Sequence, residues 1–213
     1  MGKQEQSLQA LSRFIPEGSF PLILPFFDTH TIHLTLTRER KSVLGDYRNP
    51  VKDAPFHRIS INANLNPYNF LITLLHELAH LFTWVKFHGK VAPHGGEWKE
   101  EFRKILVPFM GKSIFPADVE KALLSYLHNP AASTCTDIHL YKALYRYDDR
   151  KPGYKLVDDL GPNAIFETDN GEKYQKVEKR RTRTKCRNLT NNRLYLFSGI
   201  MEVREIQTSQ RNS

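Results

Sequence analysis

Cysteine is scarce in this chain of 213 residues. The two cysteines, Cys135 and Cys186, form no CxxC pair, which excludes a disulfide scaffold and a cysteine-bound zinc ribbon and fits a reducing compartment. An apolar leader and an uninterrupted run of eighteen apolar residues are also missing, since residues 1–11 are polar. We therefore expect a soluble cytoplasmic protein with no membrane partner. Association with the nucleoid and a nuclear location are compatible alternatives.

Acidic residues are almost missing from one segment near the C-terminus. Residues 173–193 contain nine basic residues and a single acid, Glu178, so this segment alone carries a charge equal to the net +8 of the chain. This concentration of positive charge, with Tyr174, Tyr195 and Phe197 nearby, favours a polyanionic partner. We expect that partner to be DNA. RNA, an acidic protein surface and a merely solvated face remain alternatives. The nine predicted nucleic-acid-binding residues are Lys173, Lys176, Lys179, Arg180, Arg181, Arg183, Lys185, Arg187 and Arg193.

The segment His76-Glu77-Leu78-Ala79-His80 contains the HExxH arrangement. Leucines recur around it at spacings of three and four, which predicts a helix, and Asn66-Pro67 is a typical helix start. One helical turn separates His76 from His80, so both imidazoles can bind one Zn²⁺, with Glu77 beside them as the general base. The alternative is that a short pattern has arisen by chance on a core helix.

A third zinc ligand is available in the Gly-flanked turn that contains His94. His88 lies about 12 Å further along the same helix than His80, too far for a shared metal. Glu100 would give a His₂Glu site, but it stands among acids that suit the first turns of the next helix. Lys86 occupies the position where a metzincin needs its third histidine. We therefore predict His76, His80 and His94 as the metal ligands.

These residues resemble the SprT-like (Spartan-type) zinc metalloprotease family, which pairs HExxH with a downstream H-G-x-E-aromatic segment. Here that segment is His94-Gly95-Gly96-Glu97-Trp98, and the resemblance covers roughly residues 20–128. It implies a zincin-like core with one zinc ion, Glu77 as the general base and proteolysis of DNA-associated proteins. Many members of the family carry a C-terminal zinc ribbon that this chain cannot form.

The remaining pattern predicts an α+β fold. Alternation indicates strands at residues 31–37 and 57–65, residues 38–53 suggest a loop or loose hairpin, and residues 98–110 and 116–128 suggest helices. We expect a zincin-like protease core at 1–130, a connector with some helical content at 131–153, and a small antiparallel β unit at 154–213.

The sequence therefore predicts a zinc-dependent endopeptidase acting on protein substrates associated with nucleic acid. Two other functions remain open. One is a nucleic-acid-binding module with a structural metal and little activity. The other is a general cytosolic zinc peptidase with no nucleic-acid role.

Overall fold

The computed structural model describes residues 8–40, 43–128, 137–149, 152–181 and 183–206. The chain divides into two compact units, Met1–Asp148 and Asp149–Ser213. Each unit has its own cluster of buried hydrophobic side chains. The mixed α+β class is therefore confirmed, with five α-helices and two sheets in the described part of the chain.

The sheet of the first unit has three strands, β1 (Ile32–Thr37), β2 (Gly45–Arg48) and β3 (His57–Asn62), in the order β1-β3-β2. The central strand β3 runs parallel to β1 and antiparallel to β2. Alternation predicted β1 and β3. Strand β2 corrects the prediction of a loop or loose hairpin over residues 38–53, because pairing with β3 makes four residues of that segment extended.

Five α-helices lie in the described part of the first unit. They are α1 (Phe20–Asp28), α2 (Pro67–Phe87), α3 (Gly96–Leu106), α4 (Ala117–His128) and α5 (Ile138–Tyr145). The start of α2 follows the predicted signal: Oδ1 of Asn66 accepts a hydrogen bond from the backbone N–H of Asn69 at 2.9 Å, and Pro67 occupies the first turn. The helix ends at His88, which adopts a left-handed conformation.

Helix α2 is long and apolar enough to cross a membrane by length and composition alone. Within the unit, 67% of its most apolar window is buried. Leu71, Leu74, Leu75 and Leu78 are fully buried. The apolar character of this helix is therefore accounted for by its position in the protein core.

Helix α5 lies in the segment predicted as a connector, residues 131–153, yet it packs within the first unit. Leu140 and Leu144 are buried in the first core. The Asn66 side-chain amide donates to the Leu144 carbonyl at 3.0 Å and to the Asp148 carboxylate at 2.6 Å. The division between the two compact units follows α5, at Asp148, and lies within the segment predicted as a connector.

The second unit is one antiparallel sheet of six strands in the order β4-β9-β5-β6-β7-β8. The strands are β4 (Tyr154–Leu156), β5 (Ile165–Glu167), β6 (Lys173–Lys179), β7 (Arg183–Asn188), β8 (Leu194–Ser198) and β9 (Glu202–Ile206). Six buried side chains form its core: Val157, Leu160, Phe166, Tyr174, Cys186 and Val203. Most of the basic run of residues 173–193 lies on two neighbouring strands, β6 and β7.

A polar cluster around Asp158 supports this small core. The Asp158 carboxylate forms an ion pair with Lys179 and accepts a hydrogen bond from Thr184 at 3.1 Å. Gly199 lies against the same carboxylate so closely that a Cβ atom at this position would overlap all of its heavy atoms. The cluster thus joins the segment after β4 to β6, β7 and the turn before β9.

Candidate metal centre

The first unit brings three imidazoles together at the middle of α2. His76 and His80 lie one turn apart on this helix, and His94 belongs to the turn that precedes α3. The Nε2 atoms are separated by 3.1 Å for His76 and His94, 3.3 Å for His80 and His76, and 2.9 Å for His80 and His94. We call these three residues the His triad.

The spacing of the His triad is compatible with a bound metal ion. Nitrogen ligands at about 2.0–2.1 Å from a tetrahedral zinc stand roughly 3.3–3.4 Å from one another, close to the observed separations. Burial lowers the pKa of His76 to about 2 and that of His80 to about 4, and neighbouring histidines add to both effects. Burial also lowers the pKa of His94. The rings are therefore neutral, the form in which imidazole binds metals.

The position of His94 depends on an unusual backbone conformation. Its φ is 58°, in the left-handed region that few non-glycine residues adopt. The following Gly95 donates its N–H to the Ala92 carbonyl at 3.0 Å, and a Cβ atom on Gly95 would lie 3.0 Å from that same oxygen. A tight turn, closed by a glycine, thus returns the chain from α2 to the two helical histidines.

Glu77, the predicted general base, is buried beside the His triad. Burial, together with the charge of Asp46, raises the pKa of its carboxyl group to about 8, although the charge of Arg40 opposes this shift. A nearby dication would favour the carboxylate again, since a bound metal is the largest local charge in such a site. The protonation state of Glu77 is therefore coupled to metal binding.

Strand β2 passes directly against Glu77. A Cβ atom added to Gly45 would lie 2.6 Å from Oε1 of Glu77 and 2.7 Å from Cγ2 of Thr73. Only glycine allows the backbone to approach the glutamate this closely. Gly45 therefore shapes the environment of the Glu77 carboxyl group, although it contributes no side chain.

Arg40 holds the segment before β2 in place. Its guanidinium donates to Oδ1 of Asn62 at 2.8 Å and Oγ of Ser60 at 3.0 Å, and to the Leu44 carbonyl at 3.4 Å. These contacts fix the start of β2 on the central strand. They also explain how Gly45 reaches Glu77.

Tyr47 lies further along β2, beside the His triad. Its ring is parallel to the His80 ring, with 6.4 Å between centroids, and its hydroxyl is 2.9 Å from Nδ1 of His57. Burial raises the pKa of Tyr47, so the hydroxyl stays protonated. Gly45 and Tyr47 could not be singled out by sequence reasoning, because strand β2 was not predicted.

The two rejected ligand candidates lie outside the His triad. His88 is exposed at the end of α2 and contacts Trp84. Glu100 is exposed and pairs with Lys104 at 2.8 Å. Neither belongs to the group of residues that could share a metal ion with His76 and His80.

The predicted nucleic-acid residues separate into two sets on the second unit. Lys176 donates to the carbonyls of Asp158 and Leu160 at 3.0 and 2.6 Å, and Lys179 pairs with the Asp158 carboxylate. These two lysines hold the unit together. The remaining seven include Lys173, Arg180, Arg181 and Arg193, which are exposed, and Arg183, Lys185 and Arg187, which alternate along β7 with buried Thr184, Cys186 and Asn188.

Comparison with known proteins gives one match. Residues 13–118 match the sequence model of the SprT-like family. The matched segment contains the His triad, Glu77 and the whole three-stranded sheet. No curated protein and no solved structure matches the chain.

Proposed function

Since this chain belongs to the SprT-like family through residues 13–118, we propose that it is a zinc-dependent endopeptidase with a zincin-like core. The observation that carries the proposal is the convergence of three neutral imidazoles, within 2.9–3.3 Å of one another, next to a buried glutamate. Three histidines leave one tetrahedral position open, as catalytic zinc sites require. A purely structural zinc site would not require a buried carboxylate beside it.

His76, His80 and His94 would hold one zinc ion, which supplies Lewis-acid polarisation of the scissile carbonyl and makes water more acidic. Glu77, as the carboxylate, accepts a proton from the attacking water. It then delivers that proton to the nitrogen of the leaving amine. The contact with Gly45 restricts where the carboxylate can lie, so that it stays aimed at the reacting water.

Strand β2 offers a way to bind an extended substrate. It stands at the end of the order β1-β3-β2, so among the described residues its outer backbone edge has no neighbouring strand. A peptide that adds to this edge would be recognised by main-chain hydrogen bonds beside Gly45 and Glu77. Backbone pairing requires no chain terminus, which favours an endopeptidase.

The test measures zinc content and cleavage of an unfolded protein in the same preparations. Glu77→Gln is expected to retain close to one zinc per chain and to lose nearly all cleavage, because the base is removed and the ligands remain. His76→Ala, His80→Ala and His94→Ala should lose zinc as well. Glu100→Gln is the matched control and should change neither quantity.

Cleavage at the wild-type rate by Glu77→Gln would rule out the proposed chemistry. Full zinc in His94→Ala together with zinc loss in Glu100→Gln would instead indicate a His₂Glu site. Zinc in the wild type without any proteolysis would favour a binding module with a structural metal.

We further propose that the second unit binds nucleic acid, so that proteolysis is directed to proteins attached to it. The support is charge and placement: Arg183, Lys185 and Arg187 form a row on the outer face of β7. Leu194 and Leu196 lie opposite Arg187 and Lys185 on β8. Cationic side chains in a row suit the regular spacing of phosphates.

The structure sharpens the test of this second proposal. Replacing Arg183, Lys185 and Arg187 by glutamine should weaken DNA binding about equally for different sequences. It should also flatten the slope of log affinity against log salt by up to about 2.7, at about 0.9 per duplex phosphate. The matched control replaces Lys52, Lys90 and Lys112, three exposed lysines of the first unit. An unchanged slope in the β7 variant would indicate that the basic run is only a solvated surface. The protein would then be a general zinc peptidase with no nucleic-acid role.

A further inference from the structure

Trp98 is a single side chain that contacts all three members of the His triad. It lies in the first turn of α3 and is fully buried. Its ring centroid is 4.6 Å from that of His76, 5.3 Å from that of His80 and 4.7 Å from that of His94. The indole therefore forms one continuous wall behind three side chains that come from two separate elements.

The wall is itself fixed by the core of the first unit. Trp98 stacks on Phe102 with 5.2 Å between centroids and 7° between planes. Phe102 in turn contacts Tyr126 on α4 edge-on at 6.1 Å. Because interiors are packed at the density of organic crystals, the indole cannot move without displacing these neighbours.

The His triad needs such a wall because its members do not favour their own arrangement. Each neutral imidazole has one donor nitrogen and one acceptor nitrogen. Because all three Nε2 atoms face one another within 3.3 Å, they cannot all be paired as donor and acceptor. Contacts with the indole at interplanar angles of 58°, 34° and 77° include the tilted and edge-on geometries that aromatic rings prefer. These contacts restrict each ring to the orientation in which Nε2 points into the site.

The size of the indole matters in this arrangement. Its Nε1 is buried and has no hydrogen-bond partner among the described residues. A buried donor of this kind is unfavourable, and a phenyl ring would avoid it. A phenyl ring, however, has less surface with which to reach three imidazoles at once.

We propose that Trp98 is a positioning residue that holds His76, His80 and His94 in ligand geometry before the metal binds. The inference rests on the proposed metal site and adds to it a residue that is not itself a ligand. Removing Trp98 allows the imidazoles to adopt other rotamers, so that metal binding must first restrict them again.

The test compares two tryptophan variants. Trp98→Leu removes the wall. Trp84→Phe is the matched control, because Trp84 lies on α2 one turn after His80 and contacts His57 and His88. Zinc affinity is measured by competition with a chromophoric chelator, and site geometry by the visible absorption of the Co²⁺ form. Trp98→Leu should bind zinc about 10–100-fold more weakly and show a weakened, shifted Co²⁺ spectrum, whereas Trp84→Phe should match the wild type.

Wild-type affinity and an unchanged Co²⁺ spectrum in folded Trp98→Leu would overturn the inference and leave the proposed metal site intact. Failure of the wild type to bind zinc would overturn the metal site itself. If Trp98→Leu does not fold, NMR of the zinc-free wild type decides. Nuclear Overhauser effects between the indole and all three imidazoles are expected, and their absence would show that the triad is not organised before metal binding.

Discussion

The two units of this protein differ in the size of their hydrophobic cores and in what those cores support. In the described part of the chain the first unit has 29 buried hydrophobic residues in its core, and the second has six. The large core surrounds a buried polar site, whereas the small one supports a sheet whose charge lies outside. A change that reaches the core of the first unit should therefore alter chemistry, while the same kind of change in the second should alter stability first.

Among changes outside the His triad and Glu77, the largest effect on cleavage is expected from Gly45→Ala. The added methyl group would lie 2.6 Å from Oε1 of Glu77, so the carboxylate must move. Displacement of a catalytic group by about 1 Å can cost about 100-fold in rate. Cleavage should fall by about that factor with zinc content unchanged. Gly96→Ala is the control, since nothing lies within 4 Å of a Cβ atom there; equal activities of the two variants would contradict the prediction.

The equivalent change in the second unit is Gly199→Ala, and it should affect stability alone. The methyl group would displace the Asp158 carboxylate from Lys179 and Thr184. Overpacking of this kind typically costs about 1–3 kcal/mol. The midpoint temperature of thermal unfolding of the β unit should fall, whereas zinc content and peptide cleavage should stay at wild-type values. Gly161→Ala, which has open space at its Cβ, should leave the unfolding curve in place.

A smaller effect is expected at Asn66, where the start of α2 meets α5. Asn66→Ala removes the helix cap and both contacts with Leu144 and Asp148. A lost cap costs about 1 kcal/mol. Loss of the hydrogen bond to the Leu144 carbonyl adds about 0.5–1.5 kcal/mol, since that carbonyl still accepts from the Tyr147 N–H at 2.9 Å. Asn66→Ser keeps a cap and separates the two contributions. Denaturant unfolding of the first unit measures both, and identical midpoints for Asn66→Ala and the wild type would contradict the assignment.

The smallest signal is expected from Cys186 in the native β unit. The thiol is fully buried, and burial raises its pKa to about 11. At pH 8 only about one thiol in a thousand would be the reactive thiolate. In a Cys135→Ser background, iodoacetamide should label the native protein very slowly and the urea-unfolded protein within minutes. Rapid native labelling would mean that the small core opens readily.

Much of the candidate metal site follows from local sequence. The spacing of His76 and His80, the helix signal at Asn66-Pro67 and the turn at His94 are all local patterns. Strand β2 is different, because Arg40 fixes it through contacts with Ser60 and Asn62 that lie far away in the sequence. Gly45 and Tyr47 were missed for that reason.

In the second unit the missing signal was hydrophobic alternation. Strand β7 buries Thr184, Cys186 and Asn188, and these residues do not form an apolar pattern. Its outer residues are basic, so neither face of the strand is consistently apolar. Sequence periodicity identifies strands through buried apolar side chains, and a strand with a polar inner face gives little of that signal.

The contact of Asn66 with Leu144 and Asp148 also has a consequence for protein synthesis. Asp148 follows Asn66 by 82 residues, and at about 5–20 residues per second the ribosome adds that length in roughly 4–16 s. All three histidines are synthesised during this interval, but the Asn66 amide at the start of α2 does not yet have Leu144 and Asp148 as acceptors. A fragment that stops at residue 118, where the family match ends, would remain in that unfinished state. The segment from residue 118 to Asp148 is therefore part of what a minimal folding unit must contain.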